Sequence, residues 1–261
     1  MEFKDRRSLK PGRYSIQPTD GSAPFIADLT RADYPIDEGT PLNAATFNKM
    51  MECLTARNLL DNSDFRNPVN QRGGDAYNGA PMYTIDRWRK ASKIVTYVEK
   101  GYIYLQCASD AETRNGFTQD LAPEKTPVAG TPVTVAYKSY NGGIAVESAT
   151  MPSDDPVYLF GRGDSSGVML YGGDSPKISI MVPPGQFMRV EWIALYDGEF
   201  SLETIPTFRH RNYSEELMEC MRYYQICSTG NVSPMDLRPT MRANPEITQL
   251  DNGGYAYSAD L

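Results

Sequence analysis

The sequence predicts a mainly β protein organised around an antiparallel β-sandwich of the jelly-roll type. Residues that favour turns and strands are abundant, with 21 Gly, 19 Pro and 17 Tyr among 261 residues. From residue 59 to about 206, short runs that alternate apolar and polar side chains follow one another. No helical pattern interrupts these runs, which favours antiparallel pairing over a parallel sheet with crossover helices.

The N-terminal part has a different pattern. Residues 1–40 are polar and show no periodicity, so we expect an arm that is disordered or laid on a partner. Thr40 and Pro41 then start a short helix, as N-cap and first-turn proline. Its apolar residues, with the neighbouring Leu42, are the predicted oligomerisation residues: Leu42, Phe47, Met50, Met51 and Leu54.

This short helix needs a partner for its apolar stripe, because about 15 residues are marginally helical in isolation. Packing against the chain's own sandwich and packing against copies of itself both satisfy that need. We predict a homotrimer assembled through residues 42–54, since closed cyclic symmetry buries one stripe from every copy.

The central region contains nine predicted strands, separated by glycine- and proline-rich turns such as 141–143 and 183–185. The strands are expected at 93–99, 102–107, 133–137, 144–149, 157–160, 168–171, 177–182, 188–196 and 200–205. Trp88 and Trp192 are expected to pack in the core.

The C-terminal part is predicted to start with one amphipathic helix. Ser214 is its expected N-cap, and its buried stripe comprises Leu217, Met221 and Tyr224. Two short strands at 247–250 and 255–258 follow, joined by a tight turn. The predicted division is therefore an arm and helix at 1–57, a sandwich at 58–206 and a C-terminal helix with a hairpin at 207–261.

A set of motifs is found at 58–65, 71–73, 86–88, 191–195, 206–209, 220–224 and 238–245. This set is similar to modules of bacteriophage tail-fibre and prophage structural proteins with a carbohydrate-binding-like jelly roll. The resemblance covers about 58–261 and implies a virion fibre protein, of the tail or the head, that attaches to other virion proteins through residues 1–57. Residues 1–8 are polar and lack the apolar core of a signal peptide, so we expect synthesis in the host bacterial cytoplasm without one.

The motif residues themselves have a structural interpretation. Asp86 and Arg87 are expected to pair at the start of a strand, beside the core residue Trp88. Arg222 is expected to hold the C-terminal helix on the sandwich by contacts with Tyr223 and Tyr224.

Glycan binding has a physical basis in the tyrosines near strand ends, because aromatic rings stack on the C–H faces of sugars while nearby polar groups meet the hydroxyls. The alternative for each tyrosine is that it covers a sheet face with its hydroxyl in water. The predicted ligand-binding residues are Tyr137, Tyr140, Asn141, Tyr158, Asp164, Tyr171 and Asp174.

Other functions are disfavoured. The single histidine, His210, lies between two arginines, and no Gly-x-Ser-x-Gly motif is present, so we predict no enzyme, with a glycan depolymerase as the alternative.

The four cysteines have no metal-ligand spacing, and we expect reduced thiols and no metal or cofactor. A net charge of −7 disfavours nucleic acid, and no apolar run spans a bilayer. A structural protein that decorates a capsid or bridges tail parts, with no ligand of its own, stays an alternative.

Overall fold

The computed structural model forms two compact units, 1–55 and 56–261. It describes residues 13–16, 21, 23–28, 46–48, 50–51, 56–161, 165–227, 237, 239–251 and 253–260. In the first unit, β1 (Arg13–Ile16) pairs antiparallel with β2 (Phe25–Asp28), a pair that the sequence pattern does not predict. Helical backbone at 46–48 and 50–51 agrees with the predicted short helix.

The second unit is the predicted antiparallel β-sandwich, so the predicted fold class is confirmed. Its strands are β3 (Ala76–Tyr77), β4 (Met82–Tyr83), β5 (Arg89–Lys90), β6 (Ile94–Glu99), β7 (Tyr102–Cys107), β8 (Asn115–Asp120), β9 (Pro132–Ser139), β10 (Ile144–Thr150), β11 (Val157–Leu159), β12 (Gly167–Tyr171), β13 (Lys177–Val182) and β14 (Phe187–Asp197). Sheet I has the order β10-β9-β14-β7-β6-β3 and sheet II the order β11-β12-β13-β8-β5-β4. A 3-10 turn, Pro123–Lys125, follows β8.

The core fills the space between the inner faces of the two sheets. Sheet I contributes residues such as Leu105 and Val135, sheet II residues such as Leu170 and Ile180, and all four are fully buried. The Trp88 ring lies parallel to Phe117 at 5.0 Å between ring centroids. Its indole N–H donates to the Asn62 carbonyl at 3.0 Å. The expectation that Trp88 and Trp192 are buried is confirmed, with exposures of 0% and 6%.

A β-bulge in β14 divides the outer face of sheet I. Pairing with β9 shifts between Val190 and Trp192, so one extra residue enters the strand and the alternation of its side chains changes phase. Beyond the bulge, Trp192 and Tyr196 point outward but are buried, because later chain covers them. Phe208 stacks on Trp192 at 4.4 Å between ring centroids.

The C-terminal part contains α1 (Tyr213–Cys220) and a three-stranded sheet of β15 (Tyr224–Cys227), β16 (Glu246–Gln249) and β17 (Tyr255–Ser258), in the order β15-β17-β16. The predicted N-cap Ser214 is wrong: the side chain of Asn212 accepts from the Glu215 N–H at 2.9 Å. The helix ends at Cys220, its one buried residue, so Tyr224 belongs to β15 and not to a helical stripe.

The predicted strand at 200–205 is also wrong. The Ser201 carbonyl accepts from the N–H groups of Thr204 and Ile205 at 3.1 and 2.8 Å, and the Ser201 N–H donates to the Thr204 hydroxyl at 2.9 Å. These local bonds form a turn, which competes with strand pairing in such a polar stretch.

Candidate glycan-binding face

The structure distributes the predicted ligand-binding residues over several places. Tyr140 and Asn141 lie together at the β9–β10 turn, where Asn141 has a φ of +59°. Tyr137, by contrast, packs edge-on against Phe160 at the margin of the core, at 4.9 Å between ring centroids. Tyr140 and Tyr137 therefore do not form one platform.

Sheet II contains a second predicted group. Tyr158 and Tyr171 lie on the same outer face of β11 and β12. Burial, and to a smaller extent the charge of Tyr158, raises the pKa of Tyr171. The Arg114 guanidinium lies 4.7 Å from the Tyr158 ring centroid. Asp174 borders a separate depression of about 480 Å³, and Asp164 lies outside the described residues.

An exposed aromatic cluster lies on the outer face of sheet I, before the bulge in β14. We call it the aromatic face, and it comprises Tyr97, Tyr102, Tyr104, Tyr140, Phe187 and Arg189. Strand register brings these residues together: Tyr97 is opposite Tyr104 on the neighbouring strand, and Tyr104 is opposite Arg189 on the next. Tyr140 joins them because its N–H donates to the Arg189 carbonyl at 3.1 Å.

The rings of the aromatic face contact one another in three pairs. Tyr97 lies 5.7 Å from Tyr104 between ring centroids, with 59° between the ring planes. Tyr104 stacks on Phe187 at 5.4 Å with 21° between the ring planes. Tyr102 lies 4.1 Å from Tyr140 between ring centroids, at 33°. Phe187 is 55% exposed, and Tyr97 and Tyr140 are each 36% exposed. Solvent-accessible rings can stack on the C–H faces of sugars, and aromatic side chains contribute strongly to binding surfaces.

Arg189 lies at the centre of these rings. Its guanidinium carbon is 5.9 Å from the centroid of Tyr102, 5.6 Å from Tyr104 and 5.4 Å from Phe187. These are cation–π distances, and contacts with the rings hold the long side chain against the sheet although Arg189 is exposed.

Four of the resemblance motifs, at 58–65, 71–73, 86–88 and 220–224, contribute residues to a buried contact between the sandwich and the C-terminal part. We call this contact the junction, and it comprises Asp61, Arg72, Asp86, Arg87, Tyr223 and Tyr224. The Arg87 guanidinium lies 3.5 Å from the Tyr223 ring centroid. Its Nε is 3.4 Å from an Asp61 carboxylate oxygen, and both side chains are 1% exposed. Arg87 has a φ of +71°, a conformation that costs a residue of this kind about 1–3 kcal/mol and that the surrounding contacts must offset.

Asp61 is the most strongly charge-paired group of the junction. Burial alone would raise its pKa, but Lys125, Arg87 and Arg211 together outweigh burial and hold its pKa below the usual value. The Lys125 ammonium hydrogen-bonds directly to the carboxylate. Breaking such a buried arrangement leaves uncompensated charge, which makes Asp61 a structural centre.

The second half of the junction is centred on Arg72. It pairs with Asp86 at 2.8 Å and with Asp260 at 2.7 Å, and its guanidinium carbon lies 3.8 Å from the Tyr224 ring centroid. Burial raises the pKa of Asp86 to about 6, against the opposing effects of Arg72 and Gln71. The expected Asp86–Arg87 pair is therefore wrong, because the two side chains bind different partners.

Arg222 differs from the sequence-based expectation as well. Its guanidinium pairs with Glu124 at 3.3 Å and with Glu219 at 3.6 Å. Stacking on Tyr223 and Tyr224 comes instead from Arg87 and Arg72. The sequence predicts that arginines contact Tyr223 and Tyr224, but it does not predict which arginines do so.

A concavity of about 860 Å³ adjoins the junction between residues 56–64 and α1. Charged groups of its wall pair with one another, as Arg211 does with Glu216 at 3.4 Å and Lys125 with Glu219 at 3.6 Å. This mutual neutralisation is typical of a structural cleft more than of a ligand pocket.

The described residues contain no group of three or more His, Cys, Asp or Glu side chains placed to hold a metal ion. His210 is 45% exposed and lies 2.6 Å from the Asp64 carboxylate, as expected for a surface histidine. Cys107 and Cys220 are buried free thiols and Cys227 is a partly buried one, while Cys53 lies outside the described residues. None of the helices in the described part of the chain is long and apolar enough to span a membrane.

The predicted oligomerisation residues are covered only in part by the structure. Leu42 and Leu54 lie outside the described residues. Phe47, Met50 and Met51 are 39%, 51% and 37% exposed, respectively, in the single chain. The homotrimer therefore stays a prediction.

Comparisons of the chain with protein-family models, with curated proteins and with solved structures find no match.

Five residues of the aromatic face are not among the predicted site residues: Tyr97, Tyr102, Tyr104, Phe187 and Arg189. A signal was present in the alternation of Tyr102 and Tyr104 along one strand, which puts both rings on the same face. Recognising the cluster also needs the pairing of β7 with β14, which joins residues far apart in sequence.

Proposed function

We propose that this protein is a bacteriophage virion protein whose β-sandwich binds host cell-surface glycan through the aromatic face. One observation carries the binding proposal: five aromatic rings and an arginine form a continuous cluster on the part of sheet I that the described residues of the later chain leave uncovered. Beyond the bulge, the same sheet face is buried under Phe208 and its neighbours.

The exposed part of sheet I is unusual for its chemistry, because large apolar rings seldom stay on a surface without a partner. A glycan suits this surface better than an apolar peptide does. The tyrosine hydroxyls and the Arg189 N–H groups supply hydrogen-bonding edges, while the ring faces supply stacking area.

The virion context rests on the resemblance of the motif set to tail-fibre and prophage structural modules. Attachment to other virion proteins through residues 1–57 and assembly as a homotrimer belong to the same proposal. A fibre tip with three glycan-binding sandwiches would bind a repetitive polysaccharide with avidity, since each further contact is intramolecular.

Glycan binding is tested by isothermal titration and an immobilised glycan panel with two variants, Tyr104→Ser and Phe187→Ser. Each should reduce binding at least tenfold, because each removes stacking area. The matched control is Tyr171→Ser, which alters the predicted platform on sheet II and should leave binding unchanged. Loss with Tyr171→Ser alone would place the site on sheet II and contradict the proposal.

The competing functions give different results in the same assay. Release of new reducing ends from a bound polysaccharide would identify a depolymerase. A protein that binds no member of the panel, yet is found in purified particles, would favour a decorating or bridging role with no ligand of its own.

The trimer is tested by light scattering of the full chain. The double variant Phe47→Asp and Met50→Asp places two charges on the apolar stripe and should convert a trimer into monomers while the sandwich stays folded. A monomeric unmodified protein, or a trimer that survives the double substitution, would contradict this assembly.

A further inference from the structure

Resting on the proposed glycan-binding function, we infer that the aromatic face recognises an acidic polysaccharide, through a carboxylated sugar whose carboxylate is bound by Arg189. The inference begins from the surroundings of this one cation. Arg189 is exposed and lies within 6 Å of three ring centroids. Among the described residues, no carboxylate forms an ion pair with it, whereas other arginines of the sandwich such as Arg72 and Arg87 are ion-paired.

Another cation on this side of sheet I differs from Arg189, because it is ion-paired within the protein. Lys138, on β9, pairs with Glu191 at 2.7 Å, so its charge is already balanced by a carboxylate of the protein. Arg189 therefore supplies the unbalanced positive charge of the cluster, although the whole chain has a net charge of −7. An anionic ligand is attracted to this position and repelled by most of the remaining surface, which restricts where it binds.

The shape of the cluster selects a sugar acid over a simple anion. A guanidinium presents two parallel N–H donors that match the two oxygens of a carboxylate. The rings of Tyr102, Tyr104 and Phe187 lie within 6 Å of the guanidinium carbon and offer stacking surface to the pyranose that bears the carboxylate.

The number of charges favours a carboxylate over a phosphate monoester. One guanidinium balances a single negative charge, and Glu99 and the paired Glu191 lie at the margins of the same face. A doubly charged phosphate would leave one charge uncompensated beside these carboxylates, which is unfavourable. Uronic acids and related sugar acids carry one carboxylate per residue and meet this requirement.

The test uses the full chain with matched probes: hexasaccharides of galacturonic, glucuronic and mannuronic acid, each beside its carboxyl-reduced neutral form. A glycerol-phosphate oligomer serves as the phosphodiester probe. The unmodified protein should bind at least one acidic hexasaccharide at least tenfold more tightly than its reduced form. That binding should weaken as NaCl rises from about 50 to about 300 mM, because salt screens the interaction.

Substitution of the cation separates charge from packing. Arg189→Met keeps a long apolar side chain against the rings and should abolish the preference for the acidic form, because binding of the acidic form loses an ion pair whereas binding of the neutral form loses only hydrogen bonds. Arg189→Lys keeps the charge but loses the two-pronged geometry, and should recover only part of the preference.

The remaining results would contradict either the inference about an acidic sugar or the proposed glycan binding itself. Equal binding of acidic and reduced forms, an unchanged preference in Arg189→Met, or stronger binding of the phosphodiester probe overturns the inference but leaves glycan binding intact. Failure to bind any of the hexasaccharides, together with a blank glycan panel, overturns the proposed function itself.

Discussion

The junction and the aromatic face both combine arginine with tyrosine, and they differ in what surrounds the guanidinium. In the junction, Arg87 lies 3.5 Å from the Tyr223 ring centroid, is 1% exposed and pairs with Asp61. In the aromatic face, Arg189 lies at 5.4–5.9 Å from three ring centroids and is exposed. The first arrangement satisfies its charge internally, whereas the second presents its charge to solvent.

The same combination of arginine and tyrosine therefore has a structural role in the junction and a proposed binding role in the aromatic face. A buried arginine with its own carboxylate fixes the geometry of the chain and is costly to disturb. An exposed arginine among rings contributes little to folding, and its binding capacity is available to another molecule. The two regions should therefore respond in opposite ways to substitution, with the junction affecting stability and the aromatic face affecting binding.

The largest effect is expected at the centre of the junction. Asp61→Asn leaves Arg87 buried with an uncompensated charge and should lower the free energy of unfolding by about 3–5 kcal/mol in urea titrations at pH 7. The pKa of Asp61 is lowered in the folded state, so its contribution is present above the unfolded value of 3.8 and is lost as pH falls through the folded value. The difference between the variant and the unmodified protein should therefore shrink below pH 3.8.

The control for Asp61→Asn is Asp110→Asn. Asp110 pairs with Lys93 at 2.6 Å, but the two side chains are 71% and 44% exposed. Solvent screens such a pair, and we expect no measurable change in unfolding. An equal loss of stability in both variants would show that burial does not distinguish them.

The next effect concerns Asp86, whose pKa is raised to about 6 by burial. A group with a raised folded pKa contributes stability below its unfolded value of 3.8 and loses that contribution as pH rises through about 6. Asp86→Asn should therefore remove a decline in stability between about pH 4 and 6 of at most about 3 kcal/mol. Urea titrations across this range test it, with the exposed loop residue Asp154→Asn as control. An unaltered pH profile in Asp86→Asn would mean that Arg72 keeps the carboxylate ionised throughout.

A smaller effect is expected from the stacking of Arg72 on Tyr224. Tyr224→Leu removes the ring 3.8 Å from the guanidinium and should cost about 1–2 kcal/mol, since the pair is largely desolvated. Tyr224→Phe retains the ring and should remain close to the unmodified protein. Equal losses in both variants would assign the effect to the hydroxyl group instead of the ring.

Much of the sandwich is predictable because alternation and turn residues agree along the chain. The predicted ranges 102–107 and 177–182 coincide with β7 and β13. β8 is the instructive failure, since Asn115 and Gly116 indicate a turn when considered alone. Pairing with strands on both sides holds this segment extended, and a Cβ at position 116 would lie 2.2 Å from the Ser179 hydroxyl oxygen. The space beside Gly116 is occupied by side chains of its own and the neighbouring strand, a tertiary contact that local pattern does not contain.

The candidate site is less predictable for a related reason. Local pattern identifies Tyr140 near a strand end, but the faces of Tyr137 and Tyr140 differ, and no local signal joins either of them to Arg189. That contact depends on the register of β14 with β7 and β9 and on the bulge after Val190. Pairing between distant strands decides which aromatics cluster, so the cluster appears only in the folded chain.

The smallest effect on stability is expected at the aromatic face. Phe187→Ser should alter the free energy of unfolding by less than about 0.5 kcal/mol, because the ring is 55% exposed and leaves no cavity when removed. Phe117→Ser is the buried comparison: that ring is fully buried against Trp88, and its loss should destabilise the fold by several kcal/mol or prevent folding. Thermal and urea unfolding of both variants measures the contrast. A loss above about 1 kcal/mol in Phe187→Ser would show that the exposed ring stabilises the sheet, and the division between a structural junction and a binding face would then fail.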